Sequence, residues 1–298
     1  MTFEDELNNR ITRVTDIITS YLPKEEGYDK TVKEAMNYSF LAGGKRLRPL
    51  IMLETFEALG GKGDVIYPFM AALEMVHNYS LVHDDLPAID NDELRRGRPT
   101  THKAYGESMA ILAGDGLLSL SFETAVKAFN AENADPVLIA GALSVFVRKI
   151  GMDGMLSGES VDVEVEKKNL PVDMELLMYI HEKKTAALLE CAFMVGGILA
   201  GCDTNVIKTL EQIGSLVGIS FQIRDDILDI IGNEEELGKP IGSDEKNGKI
   251  TSVSINGLEK SEKDVEEMSE KAVNLTNLLP GNTEFLVEIV KSLVYRNK

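Results

Sequence analysis

Two aspartate-rich runs dominate the chemistry available to this chain. They are Asp84-Asp85-Leu86-Pro87-Ala88-Ile89-Asp90 and Asp225-Asp226-Ile227-Leu228-Asp229, each set in an otherwise apolar segment. Carboxylates this dense repel one another and resist leaving water unless cations neutralise them. Lys or Arg follows each run in the sequence, which suggests a shared site for metal ions and an anionic substrate. Mg²⁺ is the best match, because it usually takes one or two protein carboxylates plus phosphate oxygens rather than a full protein cage. Neither run has the alternating ligands and central glycine of an EF-hand calcium loop.

The second run reads as one helix face. Gln222, Asp225, Asp226 and Asp229 fall within an arc of about 100°, so an amide and three carboxylates lie side by side. On an uninterrupted helix Asp84 and Asp90 would point about 120° apart. Pro87 changes that, because it disfavours helical geometry at Leu86 and removes a backbone donor. The helix is therefore expected to end or bulge there and let Asp90 fold back towards Asp84. His77, seven residues before Asp84, lies on almost the same face.

Counter-charge is close in sequence. Gly43-Gly44-Lys45-Arg46-Leu47-Arg48-Pro49 places two glycines and three cations ahead of a helix expected to begin at Pro49. Backbone amides and the helix dipole favour anions there, and Arg can grip phosphate through two parallel hydrogen bonds. Arg95-Arg96-Gly97-Arg98 follows the first run, Lys183-Lys184-Thr185 interrupts an apolar helix, and Lys239 and Lys249 follow the second run. Singly, each basic patch reads as solvated surface. Alongside two carboxylate clusters they describe a pocket for phosphate and metal.

The elements that must position these groups are helices. Segments near 3–20, 28–42, 49–59, 66–85, 107–130, 135–150, 173–200, 204–231 and 261–279 are long, rich in Ala, Leu, Met, Glu and Ile, and mostly separated by Gly, Pro, Asn or Asp. No alternating strand pattern recurs. The stretches 66–82, 137–147 and 186–200 are apolar nearly all round, as expected of central helices in a large bundle. Gly214 and Gly218 would permit close packing beside the second run. Residues 86–106 and 232–256 are charged, Gly-rich, and read as loops that close over a ligand. With no repeat and no long linker, the expectation is an all-α protein with residues 1–298 as one domain.

Composition bounds the rest. With 298 residues and 44% hydrophobic content the chain can bury a large core. A net charge of −18 argues against nucleic acid as a partner. The two cysteines, Cys191 and Cys202, sit in an apolar stretch and imply neither a disulfide framework nor a zinc motif, which fits a reducing compartment. The N-terminus lacks the basic start and apolar core of a signal peptide. The longest uncharged apolar run, Cys191 to Cys202, falls short of the roughly 20 residues that span a bilayer. A cytoplasmic protein without stable membrane insertion is expected.

Four segments together resemble the signatures of trans-prenyl diphosphate synthases: Gly43 to Pro49, His77 to Asp85, Asp90 to Thr100, and Phe221 to Asp229. They occur in family order, and the resemblance extends from about residue 30 to 260. The two-residue insertion Pro87-Ala88 is similar to that of bacterial farnesyl diphosphate synthases. Glu93 and Glu159 stand where the family more often shows Asp and Gln, and Ile250 and Ser252 replace its usual Ser and Tyr.

The resemblance implies an isoprenoid-synthase bundle with a central active-site cavity, working as a homodimer. It implies head-to-tail condensation of isopentenyl diphosphate with dimethylallyl or geranyl diphosphate. Three Mg²⁺ ions, replaceable by Mn²⁺, would be held by Asp84, Asp85 and Asp90 and by Asp225, Asp226 and Asp229. Arg95, Lys184, Lys239 and Lys249 would add positive charge around the leaving diphosphate, with Asp84, Asp90, Arg95, Lys184, Asp225 and Lys239 as the catalytic set. Gly44, Lys45, Arg48, His77 and Arg96 would hold isopentenyl diphosphate, and Thr185 and Gln222 the allylic partner. Tyr79 and Ser80 would set chain length, Tyr79 lying about 7.5 Å deeper along its helix than Asp84. An aromatic there with the insertion implies a C15 product, farnesyl diphosphate. A geranylgeranyl or other short-chain synthase keeps every motif and differs in the tunnel floor. A terpene cyclase would not need the second diphosphate site, and the intact aspartates argue against a non-catalytic partner subunit.

Overall fold

A computed structural model describes residues 2–132, 134–231 and 250–294. Among these the only sheet is a hairpin of two-residue strands, and the rest of the regular structure is helical. The chain divides into two compact units interleaved in sequence. One comprises Met1–Leu53 and Lys62–Leu143, the other Glu54–Gly61 and Ser144–Lys298.

The first unit holds α1 (Phe3–Thr19), α2 (Lys30–Phe40), the start of α3 (Leu47–Ala58), α4 (Tyr67–Asp84), β1 (Leu94–Arg95), β2 (Arg98–Pro99), α5 (Thr101–Tyr105), α6 (Glu107–Ala125), a 3₁₀ turn (Val126–Asn130) and the start of α7 (Pro136–Ile150). Helix α4 is its axis, buried from Pro68 to Val76 and again at Asn78, Tyr79 and Val82. It packs against α6, α1 and α2. Small residues on α6, among them Ala110, Ala113 and Gly114, let the two backbones approach. A Cβ on Gly114 would collide with the His83 ring of α4.

The second unit holds the ends of α3 and α7, then α8 (Met155–Lys168), α9 (Met174–Ile180), a π-helical turn (His181–Ala186), α10 (Ala187–Leu199), α11 (Thr204–Ile231), α12 (Ser252–Asn256), α13 (Leu258–Asn277) and α14 (Glu284–Val294). The glycine expectation holds. A Cβ on Gly214 would stand 2.5 Å from the Glu190 Cα, and one on Gly218 would meet the Ala186 backbone, so α10 and α11 touch backbone to backbone.

Several elements differ from the sequence reading. Helix α3 starts at Leu47, with Pro49 third; a proline is tolerated anywhere in a first turn, whose N–H groups have no intrahelical acceptor. The expected helix 173–200 is interrupted by the π turn at the Lys183-Lys184-Thr185 step. Helix α8 escaped notice because Val161, Val163 and Val165 alternate with acids, a period that suits a strand. Helix α14 is rich in β-branched residues and was also missed. Of the three segments expected to be central, α4 and α10 are buried all round. Helix α7 is not, because Val137 and Val147 face outward.

Apolar composition alone does not separate a core helix from one with an exposed apolar side. Helix α6 and its 3₁₀ extension expose Ile111, Leu112, Phe122, Val126 and Phe129. Among the described residues, Glu107–Asn130 is the one helix long and apolar enough to cross a membrane, yet it carries Glu107, Asp115, Glu123 and Lys127 and packs on α4 and α2.

Candidate active site

One candidate cluster is built where α4 ends. Asp85 N–H still donates to Leu81 O (3.2 Å), after which the chain turns at Pro87. The Asp90 N–H then donates to the Asp84 carbonyl at 2.9 Å, and the Asn91 N–H to Leu86 O at 3.1 Å. Asn91 takes a left-handed φ of 56° to close the turn. The expected fold-back is thus present. Asp84 is half-buried and Asp90 exposed, so one turn presents two carboxylates that are not buried.

Asp85 has a different job. It is buried, and both its oxygens accept from Arg95: Nε at 2.8 and 2.9 Å, Nη2 at 2.6 Å. Burial pushes its pKa up, and the guanidinium pulls against that. In this structure its carboxylate pairs with Arg95 and fixes that cation on the hairpin. The hairpin pairs Leu94 with Pro99 and Arg95 with Arg98, leaving Arg96-Gly97 at the tip with φ of 54° and 74°. Positive φ at both positions is the two-residue turn that matches strand twist.

That turn lays Arg96 on the glycine loop. Its Nη1 donates to the Gly43 carbonyl, and the guanidinium covers Gly44, where a Cβ would stand 2.5 Å from Nη1. With φ at 126° as well, position 44 admits glycine for two independent reasons. Arg48 lies near Arg96 and keeps a buried Nε without a hydrogen-bond partner. A buried orphan donor between glycines and cations fits an anion. Lys45 is exposed in the same loop.

His77 completes this cluster. Burial first, then Arg48, Arg96, Arg95 and Arg46, hold its pKa well below the ordinary 6.5, so the folded protein keeps it neutral. The unfolded chain takes up that proton as pH falls below 6.5, so the contribution of His77 to stability is present above that pH and lost on acidification. Urea unfolding of His77→Gln should show a flatter acid limb below pH 6.5 than the parent. An equally steep limb would place the proton uptake elsewhere.

Below the aspartates, Tyr79 is buried (7% exposed) with its ring edge-on to His83, centroids 5.7 Å apart. His83 in turn lies on Gly114, with Nε2 3.2 Å from Ile111 O on α6. Ser80 is half-exposed, and its hydroxyl donates to His77 O at 3.0 Å.

A separate cluster, in the second unit, is built on α11 and the π turn. Thr185 Oγ1 donates to Gln222 Oε1 at 3.1 Å, so the two residues expected to serve one substrate do meet. Lys184 is brought beside α8, where its ammonium donates to Asp162 Oδ2 (2.6 Å) and pairs with Glu159 Oε2 (2.8 Å). Burial opposes its charge, but the two carboxylates outweigh burial and raise its pKa. This approach depends on Gly158, since a Cβ there would strike the Lys184 backbone nitrogen.

On α11 the three aspartates part company. Asp225 is half-exposed, whereas Asp226 and Asp229 are buried. Asp226 Oδ2 accepts from the Ser252 N–H at 2.9 Å, tying down the first turn of α12, and Gln222 Nε2 lies 3.5 Å from Oδ1. The three-carboxylate face thus differs along its length: Asp225 is half-exposed, Asp226 also anchors α12, and Asp229 is buried. Lys239 and Lys249 lie outside the described residues.

Sequence reasoning missed three features. One is Asp162 beside Lys184, signalled by its i, i+3 spacing from Glu159. Another is Glu74, paired with Arg46; a lone acid in a helix apolar all round is expected to have a buried partner. The third is Lys149, buried between Glu190 and Glu211.

The glycine-cation loop shares a unit with the first aspartate run, and Lys184 shares one with the second, the kinds of group a diphosphate-handling protein requires. The chain belongs to the polyprenyl synthetase family, which it matches over residues 29–283. It is 43% identical to the farnesyl diphosphate synthase of Geobacillus stearothermophilus over 84% of this chain and 83% of that one. It is also 43% identical to a heterodimeric geranylgeranyl pyrophosphate synthase large subunit from Arabidopsis thaliana chloroplasts, over 81% of this chain and 65% of that protein. A Helicobacter pylori geranyltransferase solved with magnesium and isoprenyl diphosphate superposes with a TM-score of 0.83 at 30% identity, over 99% of this chain and 97% of that one. The protein is a trans-prenyl diphosphate synthase, a prenyltransferase of isoprenoid synthesis with an all-α bundle fold.

Proposed function

We propose that this enzyme condenses isopentenyl diphosphate with dimethylallyl and then geranyl diphosphate to release farnesyl diphosphate, in an Mg²⁺-dependent reaction, as one functional domain. The observation that carries the C15 reading is the buried Tyr79 ring, wedged against His83 below the first aspartate turn. Relatives of both farnesyl and geranylgeranyl type are equally similar, so the tunnel floor is the deciding feature. Chromatography of the products made from dimethylallyl and isopentenyl diphosphates tests it, and a C20 main product would favour the geranylgeranyl reading.

Among the described residues no three His, Cys, Asp or Glu side chains gather to hold an ion by themselves. Mg²⁺ does not require that, because it takes one or two carboxylates and completes its shell with phosphate oxygens and water. Asp84, Asp90 and Asp225, open to solvent on the helix end and helix face, suit this role. When bound, the metal supplies Lewis-acid neutralisation of the leaving diphosphate.

The chain's own residues do the rest. Lys184, with Lys239 and Lys249, would add fixed cations where negative charge develops as the allylic C–O bond ionises, and Arg95 is held for this by Asp85. Thr185 and Gln222, already hydrogen-bonded, would turn their dipoles on the cation. Lys45, Arg48, His77 and Arg96 would hold isopentenyl diphosphate, with Gly44 giving the loop its close approach. The departing diphosphate would take the proton from the adduct, which needs no dedicated base in the chain.

Arg48→Ala is expected to raise KM for isopentenyl diphosphate by at least about tenfold with little change for the allylic substrate, because the lost contact is local to one ligand. Lys184→Ala should act mainly on turnover or on the allylic substrate. Equal effects of both variants on both substrates would reassign the pockets.

The exposed apolar row Ile111, Leu112, Phe122, Val126 and Phe129 in a chain of net charge −18 supports a homodimer formed on this face. Light scattering of the purified protein tests the stoichiometry, and a monomer would refute it.

A further inference from the structure

The loop from Gly43 to Pro49 carries three cations, and the structure turns one of them inward. Arg46 takes a left-handed φ of 48°, uncommon for a side chain with a Cβ, and is 5% exposed. Its Nη1 donates to Glu74 Oε1 at 2.6 Å and its Nη2 to the Phe40 carbonyl at 2.6 Å. The guanidinium carbon lies 5.1 Å from the centroid of the Phe40 ring. Committed in this way, Arg46 does not serve as a ligand. It fastens the loop to α4 and to the end of α2.

Glu74 is equally committed. It is 2% exposed and lies three residues before His77, on nearly the same side of α4. Its charge favours the cationic forms of both Arg48 and Arg96 against burial. One buried carboxylate thus acts on three arginines.

We propose that the Arg46–Glu74 pair is a strut that holds the isopentenyl diphosphate half-site in its binding shape before any ligand arrives, which makes both positioning residues. The inference rests on the assignment of Lys45, Arg48, His77 and Arg96 to that substrate. At this left-handed turn Arg46 faces the core while Lys45 is exposed and Arg48 keeps a buried donor without a partner. The strut also keeps Arg48 and Arg96 together despite their repulsion.

The sign of the Glu74 effect separates this role from simple electrostatics. By Coulomb's law alone, Glu74→Gln removes negative charge beside an anion site and should tighten diphosphate binding. The strut demands the reverse, because Arg46 keeps only a neutral acceptor in place of a charge-assisted one and becomes a buried cation without its counter-ion, which loosens the loop on α4. The experiment is steady-state kinetics with isopentenyl and geranyl diphosphates varied in turn. The variants are Glu74→Gln, Arg46→Met and the double Arg46→Met/Glu74→Met, whose paired apolar replacement keeps the fold where single removal would strand a buried charge.

All three are expected to raise KM for isopentenyl diphosphate by at least about tenfold while that for geranyl diphosphate stays within about twofold. An unchanged or lowered value in folded Glu74→Gln, or an equal rise for both substrates in the double variant, overturns the strut. If the single variants do not fold, the double variant decides alone. Arg48→Ala run alongside tells the two levels apart. Failure of Arg48→Ala to weaken isopentenyl diphosphate would refute the half-site itself, whereas its success with silent strut variants would refute only the strut.

Discussion

Replacing Asp84 or Asp225 by alanine is expected to lower turnover by at least about 10²-fold while leaving the melting temperature close to that of the parent. Both carboxylates are at least partly open to solvent, at a helix end and on a helix face, so truncation opens no core cavity. Their contribution is to the charge that develops on the leaving diphosphate, a transition-state term that appears in turnover. Chelator should abolish activity in the parent, and Mg²⁺ should restore it. Asp226→Ala is the informative contrast. The buried Ser252 N–H would lose its acceptor, so this variant should lose stability by about 1–3 kcal/mol as well as rate. Full turnover in excess chelator would sink the metal mechanism, and near-normal turnover of folded Asp84→Ala or Asp225→Ala would remove that residue from it.

Tyr79→Ala should shift the main product from C15 towards C20 or longer. The ring is buried and edge-on to His83, which is itself pinned between Gly114 and the Ile111 carbonyl. Removing it opens space in α4 one and a half turns below Asp84, where a lengthening apolar chain would otherwise stop. The empty enzyme should lose roughly 3–5 kcal/mol, as large-to-small core changes do, and bound product would recover part of that by filling the space. Turnover should fall little, because no diphosphate contact is altered. An unchanged C15 product from folded Tyr79→Ala would mean that the floor is built by other residues.

The aspartate runs, the glycine-cation loop and the helical periodicity were legible because each depends on neighbours in sequence. Proline at position 87 ends a helix wherever that helix lies, so the return of Asp90 to Asp84 followed from local stereochemistry, and the hydrogen bond from Asp90 N–H confirms it. The helix face of Gln222, Asp225, Asp226 and Asp229 was likewise a matter of periodicity. What periodicity leaves open is which part of a face meets solvent. Burial of Asp226 and Asp229, and the capture of Asp226 by the first turn of α12, come from segments brought in over the helix.

Partner choice among charges belongs to the same category. Arg46 and Arg48 are two residues apart in one basic loop, yet one turns into the core towards Glu74 and the other keeps an orphan donor beside Arg96. Asp85 and Asp84 are adjacent, yet Asp85 is buried on Arg95 while Asp84 is half-exposed. Helix α8 forms against a strand-like alternation because Gly158 lets it lie on the Lys184 backbone. The sequence by itself determined the helical class, the family signature segments and the end of α4 at the first aspartate run, since those rest on residue type and short-range geometry. Only the tertiary structure decided which carboxylates and cations are offered to a ligand and which are spent on one another. Desolvation and pairing depend on residues distant in sequence, which no local pattern records.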